Sequence, residues 1–181
     1  MRVLEDIRAL IWLFPILFIF HDFEEIVFMK PWINRNEGYL NSRFPKLSKS
    51  IILHFSNTTT SAFALGVAEE FILICVITII SYFTNWYYLW FGTFIAFSIH
   101  LIVHCIQALI LKGYVPCVVT SVLCLPICFC FLRMFMTNYE INIGIIVLFS
   151  FIAIAIMILN LAAIHKGMLI FDRWLDKYQH K

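Results

Sequence analysis

The sequence predicts an all-α membrane protein, a polytopic bundle of about five transmembrane helices. Of its 181 residues, 62% are hydrophobic and only 13% are charged, whereas a soluble domain has about 25% charged residues. The mean hydropathy is +0.92. The apolar runs are unbroken and lack the alternation of polar and apolar residues expected of a transmembrane β-barrel. Residues 1–181 are therefore interpreted as one integral membrane domain.

Five apolar runs are long enough to cross about 30 Å of hydrocarbon as helices. In chain order they are Arg8–Phe28, Ser61–Phe83, Tyr88–Leu111, Pro116–Phe135 and Ile143–Ile164. The first run is not expected to be a cleaved signal peptide, because it lacks a small-residue cleavage site and acidic residues follow its apolar core. Each run is therefore predicted to be one membrane span.

The longest connection, Lys30–Thr60, follows the first span. It contains several residues that favour turns, among them Pro31, Asn34 and Gly38, so a loop is expected there. Within it, Ser50–Phe55 is short and apolar, which predicts an interfacial helix or an early start of the second span.

The distribution of basic residues predicts the orientation, because cytoplasmic loops are enriched in Lys and Arg. With five spans, ten of the 13 basic residues share one side: Lys30, Arg35, Arg43, Lys46, Lys49, Lys112, Lys166, Arg173, Lys177 and Lys181. The other side holds Arg2, Arg8 and Arg133. We expect an outside N-terminus and a cytoplasmic C-terminus in the cell membrane.

Three predicted spans contain ionisable residues at positions where charge is costly. A charged group at the centre of a membrane helix costs about 2.5–3.5 kcal/mol on insertion scales. These residues are His21, Asp22, Glu24 and Glu25 in the first span, Glu69 and Glu70 in the second, and His100 and His104 in the third. Such groups persist when they face the protein interior, bind a cation or share protons.

Helix geometry predicts that these residues meet. With a rise of about 1.5 Å per residue, all three groups lie in the cytoplasmic half of the bilayer at overlapping depths. Residues three and four apart share a helix face, so His21, Glu24 and Glu25 form one stripe. His100, His104 and Gln107 form another. Glu69 and Glu70 are about 100° apart, so only one of them is expected to point at the cluster.

Imidazole and carboxylate groups together suit Zn, Fe, Mn or Ni. We therefore predict a divalent transition metal, Zn or Fe. The candidate ligands are His21, Glu24, Glu69, Glu70, His100 and His104. Glu24 and Glu25 are candidate catalytic residues, and Asp22 and Gln107 are expected to support the ligands. One ion with a general base, or two ions bridged by carboxylates, would both use this set.

The predicted function is a metal-dependent membrane enzyme, hydrolase-like, that acts on a lipid-soluble or membrane-embedded substrate. Alternatives are a small transporter or proton-coupled accessory protein, a di-metal membrane oxidoreductase, and a non-catalytic assembly factor. A metal-free proton pathway, metal-free chemistry or a structural hydrogen-bond network would use the same residues. The six cysteines are interpreted as small buried apolar residues. Membrane lipids are the expected partners, nothing indicates nucleic-acid binding, and the oligomeric state is left open.

The segment His21-Asp22-Phe23-Glu24-Glu25 resembles the defining motif of the HXXEE family of small bacterial integral membrane proteins. Val67-Ala68-Glu69-Glu70, the helix with His100, His104 and Gln107, and the turn Lys112-Gly113-Tyr114-Val115-Pro116 are also similar to that family's pattern. The resemblance spans at least His21 to Pro126. It implies a membrane location and a role for His21, Glu24 and Glu25, but no substrate. It also implies Gly at position 117, where this chain has Cys117.

Overall fold

The computed structural model describes residues 8–45, 58–138 and 142–179, and within these ranges it contains helices and no strands. The five long helices are α1 (Leu13–Arg43), α2 (Thr60–Thr84), α3 (Tyr88–Leu111), α4 (Val118–Asn138) and α5 (Ile143–Gln179). The predicted all-α bundle is confirmed. The prediction for Ser50–Phe55 concerns residues outside the described ranges.

Helices α2 to α5 are each long and apolar enough to cross a membrane. Helix α1, with 31 residues, is also long enough, but it carries more charge. Near one end of α1, Arg8 donates to Asn85 Oδ1 over 2.7 and 3.0 Å. Towards its other end, Lys30 Nζ donates to Thr58 O over 3.0 Å. Residues 8–30 therefore run the full length of α2, as a fifth crossing would.

Helix α1 continues well beyond the predicted first span, and the predicted loop from Lys30 is wrong as far as Arg43. Tertiary contacts override the turn-forming residues there. Trp32 Nε1 donates to Tyr114 O over 2.6 Å, and Tyr39 OH donates to Leu111 O over 3.3 Å. Both bonds hold the extension against the α3–α4 turn. We call the side of the bundle where α1, α3 and α5 end the basic side.

Residues in the left-handed backbone region form the tight turns between helices. Asn85 (φ 55°) ends α2 and Lys112 (φ 52°) ends α3. Cys117 (φ 73°) immediately precedes α4. An L-residue is strained in this region, whereas glycine is not. Cys117 therefore occupies a backbone position that suits glycine, as the family resemblance implies.

An aromatic core fills the bundle on the side opposite the basic side. The ring centroids of Trp90 and Phe94 are 5.1 Å apart and stacked, and Phe94 lies 5.3 Å from Phe14 and 5.2 Å from Phe131. Phe97 continues this core towards the middle of the bundle, 5.5 Å from Phe14. These rings give α1, α3 and α4 a close-packed interface.

Helix α5 packs against α3 and α2. At Gly92 of α3, an added Cβ would lie 2.5 Å from the backbone oxygen of Phe149. Only a residue without a side chain permits this separation of two helix backbones, as small residues do at membrane helix interfaces. Helix α5 thus closes the side of the bundle left open between α2 and α3.

Candidate metal centre

Three imidazoles from α1 and α3 lie together in the bundle. Ring centroids are 5.2 Å apart for His21 and His104, 5.3 Å for His21 and His100, and 4.5 Å for His100 and His104. The Nε2 atoms of His100 and His104 are 3.0 Å apart. The side chain of His21 is fully buried and that of His104 is 5% exposed. The predicted meeting of the first and third spans is therefore confirmed.

Glu24 projects from α1 to the beginning of α4. Its carboxylate accepts hydrogen bonds from Thr120 N over 2.8 Å, Thr120 Oγ1 over 2.7 Å and Tyr114 OH over 2.8 Å. A helix N-terminus carries free N–H groups and a partial positive charge, so it favours a carboxylate. Glu24 thus supplies from α1 the negative group that stabilises the start of α4.

Thr120 links Glu24 to His21. A threonine hydroxyl has one proton, and the short bond to the charged Glu24 carboxylate uses it. His21 Nδ1, 3.0 Å from the same hydroxyl oxygen, must then donate its own proton. Nε2 of the neutral ring is therefore left with a free lone pair. It is buried and has no hydrogen-bond partner in the described part of the chain.

Three further acidic side chains, Asp22, Glu25 and Glu70, face one another from α1 and α2. Asp22 interacts directly with Glu25, and both lie in the electrostatic field of Glu70. Within the described ranges, no lysine or arginine is among the groups that act on them. Burying several carboxylates without a basic partner requires protons or a bound cation.

The structure separates the two adjacent glutamates of α2, as their 100° spacing predicts. Glu70 is half-buried and faces Glu25, whereas Glu69 is exposed and accepts a hydrogen bond from Asn160 Nδ2 over 3.1 Å. On α3, the exposed Gln107 lies beside His104. The structure therefore brings His21, Asp22, Glu25, Glu70, His100 and His104 together, with Glu24 directed to α4 and Glu69 to α5.

Two sets of three side chains in the described ranges could hold a metal ion. One set is Glu25, His100 and His104, and the other is His21, His104 and Cys117. In each set, one potential ligand atom per residue lies within 4.8 Å of the other two. Tetrahedral bonds of about 2.0–2.3 Å place ligand atoms about 3.3–3.8 Å apart, so side-chain movements of about 1 Å would complete either site. Glu24, Glu69 and Glu70 belong to neither set.

A cavity of about 340 Å³ lies between α1, α2, α3 and α5. Most of its lining is apolar. Its ionisable lining residues are Asp22, Glu25, Glu70, His100 and His165, whereas His21, His104 and Cys117 do not line it. The first set of candidate ligands therefore reaches the cavity through Glu25 and His100, and the second set is enclosed.

Three residues of this region were not among the predicted site residues: Tyr114, Cys117 and Thr120. Burial and the hydrogen bond to Glu24 raise the pKa of Tyr114, so the neutral phenol remains a donor to Glu24. Burial and the neighbouring carboxylates raise the pKa of the Cys117 thiol. The turn that contains Tyr114, and Cys117 in place of the implied Gly, were noted in the resemblance, but a threonine in an apolar run carries no sequence signal of its own.

Comparison with family profiles identifies a match over residues 12–131 to the family described as "Protein of unknown function with HXXEE motif". This match covers most of the chain. The chain belongs to the HXXEE family. No curated protein and no solved structure matches the chain.

In the structure, the three named positions of the HXXEE motif have three different surroundings. His21 joins the imidazole cluster. Glu24 binds the start of α4. Glu25 borders the cavity with His100. The spacing places all three groups on one face of α1. From that face, His21 contacts α3, Glu24 binds α4 and Glu25 borders the cavity.

Proposed function

We propose that this protein is a metal-dependent membrane hydrolase that cleaves an ester or amide bond of a lipid with a hydrocarbon chain. The observation that carries the proposal is the position of Glu25, His100 and His104. Their ligand atoms lie within 4.8 Å of one another, and two of the three residues border an apolar cavity. Two imidazoles and one carboxylate form a donor set common in hydrolytic zinc sites.

The electrostatics of the cluster support a bound cation. Asp22, Glu25 and Glu70 lie close together without a lysine or arginine among the described groups that act on them. A divalent ion coordinated by Glu25 would balance two of these negative charges. When bound, such an ion polarises a carbonyl oxygen and lowers the pKa of a coordinated water.

The cavity dimensions support a substrate with an extended hydrocarbon chain. Along α1 the lining runs from Phe14 to Glu25 and along α2 from Phe63 to Ile77, which correspond to about 16 and 21 Å of helix. Its lining is predominantly apolar, which suits a hydrocarbon chain. The chain would lie parallel to the helices, with its polar end beside Glu25 and His100.

The protein residues divide the remaining tasks. Glu70 faces the same cavity but belongs to neither ligand set, so it is our candidate base that removes a proton from water. Asp22 lies against Glu25 and would hold that ligand in place. Glu24 acts on His21 through Thr120, which makes it a positioning residue in this proposal.

The test uses full-length protein in detergent, reconstituted with Zn²⁺ or Fe²⁺, and p-nitrophenyl palmitate in mixed micelles. Glu25→Gln should lose the metal bound with His100 and His104, and hydrolysis with it. Glu70→Gln should keep the metal and lose hydrolysis, because the carboxylate that accepts the proton is gone. Glu69→Gln is the matched control and should keep both, since Glu69 faces Asn160 instead.

The chain-length dependence tests the cavity separately. p-Nitrophenyl acetate should be a much poorer substrate than the palmitate ester, because it leaves the apolar cavity empty. Equal rates for the two esters would remove the assignment of the cavity to a hydrocarbon chain. Metal-loaded protein that hydrolyses neither ester, or that is unaffected by Glu25→Gln, would contradict the hydrolase proposal.

A proton-coupled membrane carrier is a second candidate, favoured by one observation. The carboxyl groups of Asp22, Glu25 and Glu70 border the same cavity, and no lysine or arginine is among the described groups that act on them. Intramembrane acidic residues commonly form proton relays. Proteoliposomes with an internal pH-sensitive dye distinguish the two functions: a carrier acidifies the lumen in an Asp22-dependent way without metal, and a hydrolase does not.

A further inference from the structure

The enclosed set of His21, His104 and Cys117 is not used by the proposed hydrolytic site, apart from His104. All three side chains are buried, with 0% exposure for His21 and Cys117 and 5% for His104. One potential ligand atom of each lies within 4.8 Å of the other two. These residues come from α1, α3 and the turn before α4, so an ion bound between them would join three elements.

Two nitrogen atoms in this set lack partners. His21 Nε2 and His104 Nδ1 are buried, and neither makes a hydrogen bond within the described ranges. A buried polar atom without a partner is costly, and native proteins rarely leave such atoms unsatisfied. A metal ion between them would accept both lone pairs.

The surrounding hydrogen bonds leave His21 with the ring nitrogen that a metal ligand needs free, Nε2, unprotonated. Thr120 fixes the proton of His21 on Nδ1 and thereby frees Nε2. Metal-binding histidines characteristically donate their other ring N–H to an oxygen that orients the ring. Here that oxygen is the Thr120 hydroxyl, which is itself held by the Glu24 carboxylate.

His104 can serve both sets because its two ring nitrogens have different neighbours. Nε2 faces His100 Nε2 at 3.0 Å, towards the Glu25 set. Nδ1 is the nitrogen without a partner. One imidazole can therefore bridge two ions, one through each nitrogen, once its remaining ring N–H proton has been released to solvent and the ring has become an imidazolate.

We propose that His21 Nε2, His104 Nδ1 and Cys117 Sγ form a second metal site, enclosed and structural, which takes Zn²⁺ and shares His104 with the cavity site. A thiolate with two imidazoles suits Zn²⁺. The thiol proton is released to solvent as the sulfur–metal bond forms. The existence of this second site does not depend on the proposed hydrolase function.

The test titrates metal-free, full-length protein in detergent with Co²⁺ alone. A thiolate ligand produces a sulfur-to-cobalt charge-transfer band in the near ultraviolet, which carboxylate and imidazole ligands do not. Wild-type protein should bind two equivalents and show the band. Cys117→Ser should bind one equivalent without the band, and Cys124→Ser, which alters another buried cysteine, should match wild type.

Cys117→Gly provides a second variant that guards against a folding defect. The backbone at this position has a positive φ, which glycine adopts without strain. This variant should fold at least as well as wild type and still lack the band. A band that persists in either Cys117 variant, or is absent from wild type, would overturn the second site.

Glu25→Gln separates this site from the hydrolytic one. It should leave one equivalent of Co²⁺ with the thiolate band intact. Wild type with one ion, no band and complete loss of binding on Glu25→Gln would refute the enclosed site and support the cavity site. One ion with the band, unaffected by Glu25→Gln, would support the enclosed site and refute the cavity site.

Discussion

Replacing Thr120 by valine tests the connection between Glu24 and His21. Valine keeps the shape of threonine but removes the hydroxyl that donates to Glu24 over 2.7 Å and lies 3.0 Å from His21 Nδ1. The bond to a charged carboxylate contributes about 1.5–3 kcal/mol, and the buried His21 N–H left without an acceptor costs about 1–3 kcal/mol. Because Glu24 retains Thr120 N and Tyr114 OH as donors, we expect the loss to lie in the lower half of the range that these two effects give together. The free energy of unfolding should therefore fall by about 3 kcal/mol.

The assay is thermal unfolding in detergent together with Co²⁺ titration. Thr120→Val should lower the midpoint by several degrees. It should also weaken binding at the His21 site by about 10–100-fold, the usual effect of removing the group that orients a metal-binding histidine.

Two control variants isolate the effect. Thr120→Ser retains the hydroxyl and should remain near wild type. Thr137→Val removes a hydroxyl from the same helix that only bonds back to its own turn, and should change little. If Thr120→Val unfolded at the wild-type temperature and bound Co²⁺ with unchanged affinity, the relay from Glu24 to His21 would be refuted.

Three other predictions address topology, packing and pH. Reporter fusions after Lys181 and within Asn34–Ser42 should both be cytoplasmic; opposite locations would mean that the number of spans is wrong. Gly92→Ala should lower the free energy of unfolding by about 1–3 kcal/mol, because the added Cβ would lie 2.5 Å from a backbone oxygen of α5. Gly167 has open space around it, so Gly167→Ala should not lower it, and equal unfolding midpoints for the two variants would contradict the close approach. Metal binding, measured by dialysis, should weaken as pH falls, since imidazole must be neutral and carboxylate ionised to coordinate, and His104→Ala should abolish it at every pH. Metal binding that does not change with pH would refute the ligand assignments.

The sequence was sufficient to predict the spans and the meeting of the polar residues. Predicted spans such as Ser61–Phe83 and Tyr88–Leu111 differ from α2 and α3 by no more than one residue at either end, because a membrane imposes both length and composition on a helix. The cluster followed from depth and helical phase alone, since three antiparallel helices of known length leave little freedom in how their residues align. Even the divergence of Glu69 and Glu70 follows from the helical repeat.

The partners of Glu24 could not be predicted in the same way. Helical phase places Glu24 on the face of His21, but it does not reveal that α4 begins opposite that face. Thr120 and Cys117 lie in or beside an apolar run, where a hydroxyl or thiol is commonly a small packing residue. The extension of α1 past Lys30 was missed because Trp32 and Tyr39 bond to a turn about 70–80 residues away along the chain.

The attachment of Glu24 to α4 has a consequence for membrane insertion during synthesis. Glu24 and its partner Thr120 are 96 residues apart, so α1 emerges from the ribosome long before the group that stabilises its carboxylate exists. Of the five helices, α1 is the one whose charge sets it apart from autonomous spans, and each unpaired charge at mid-membrane costs about 2.5–3.5 kcal/mol. Helix α1 therefore depends on the later helices for its place in the bilayer, and a nascent chain truncated before α4 should release α1 from the membrane.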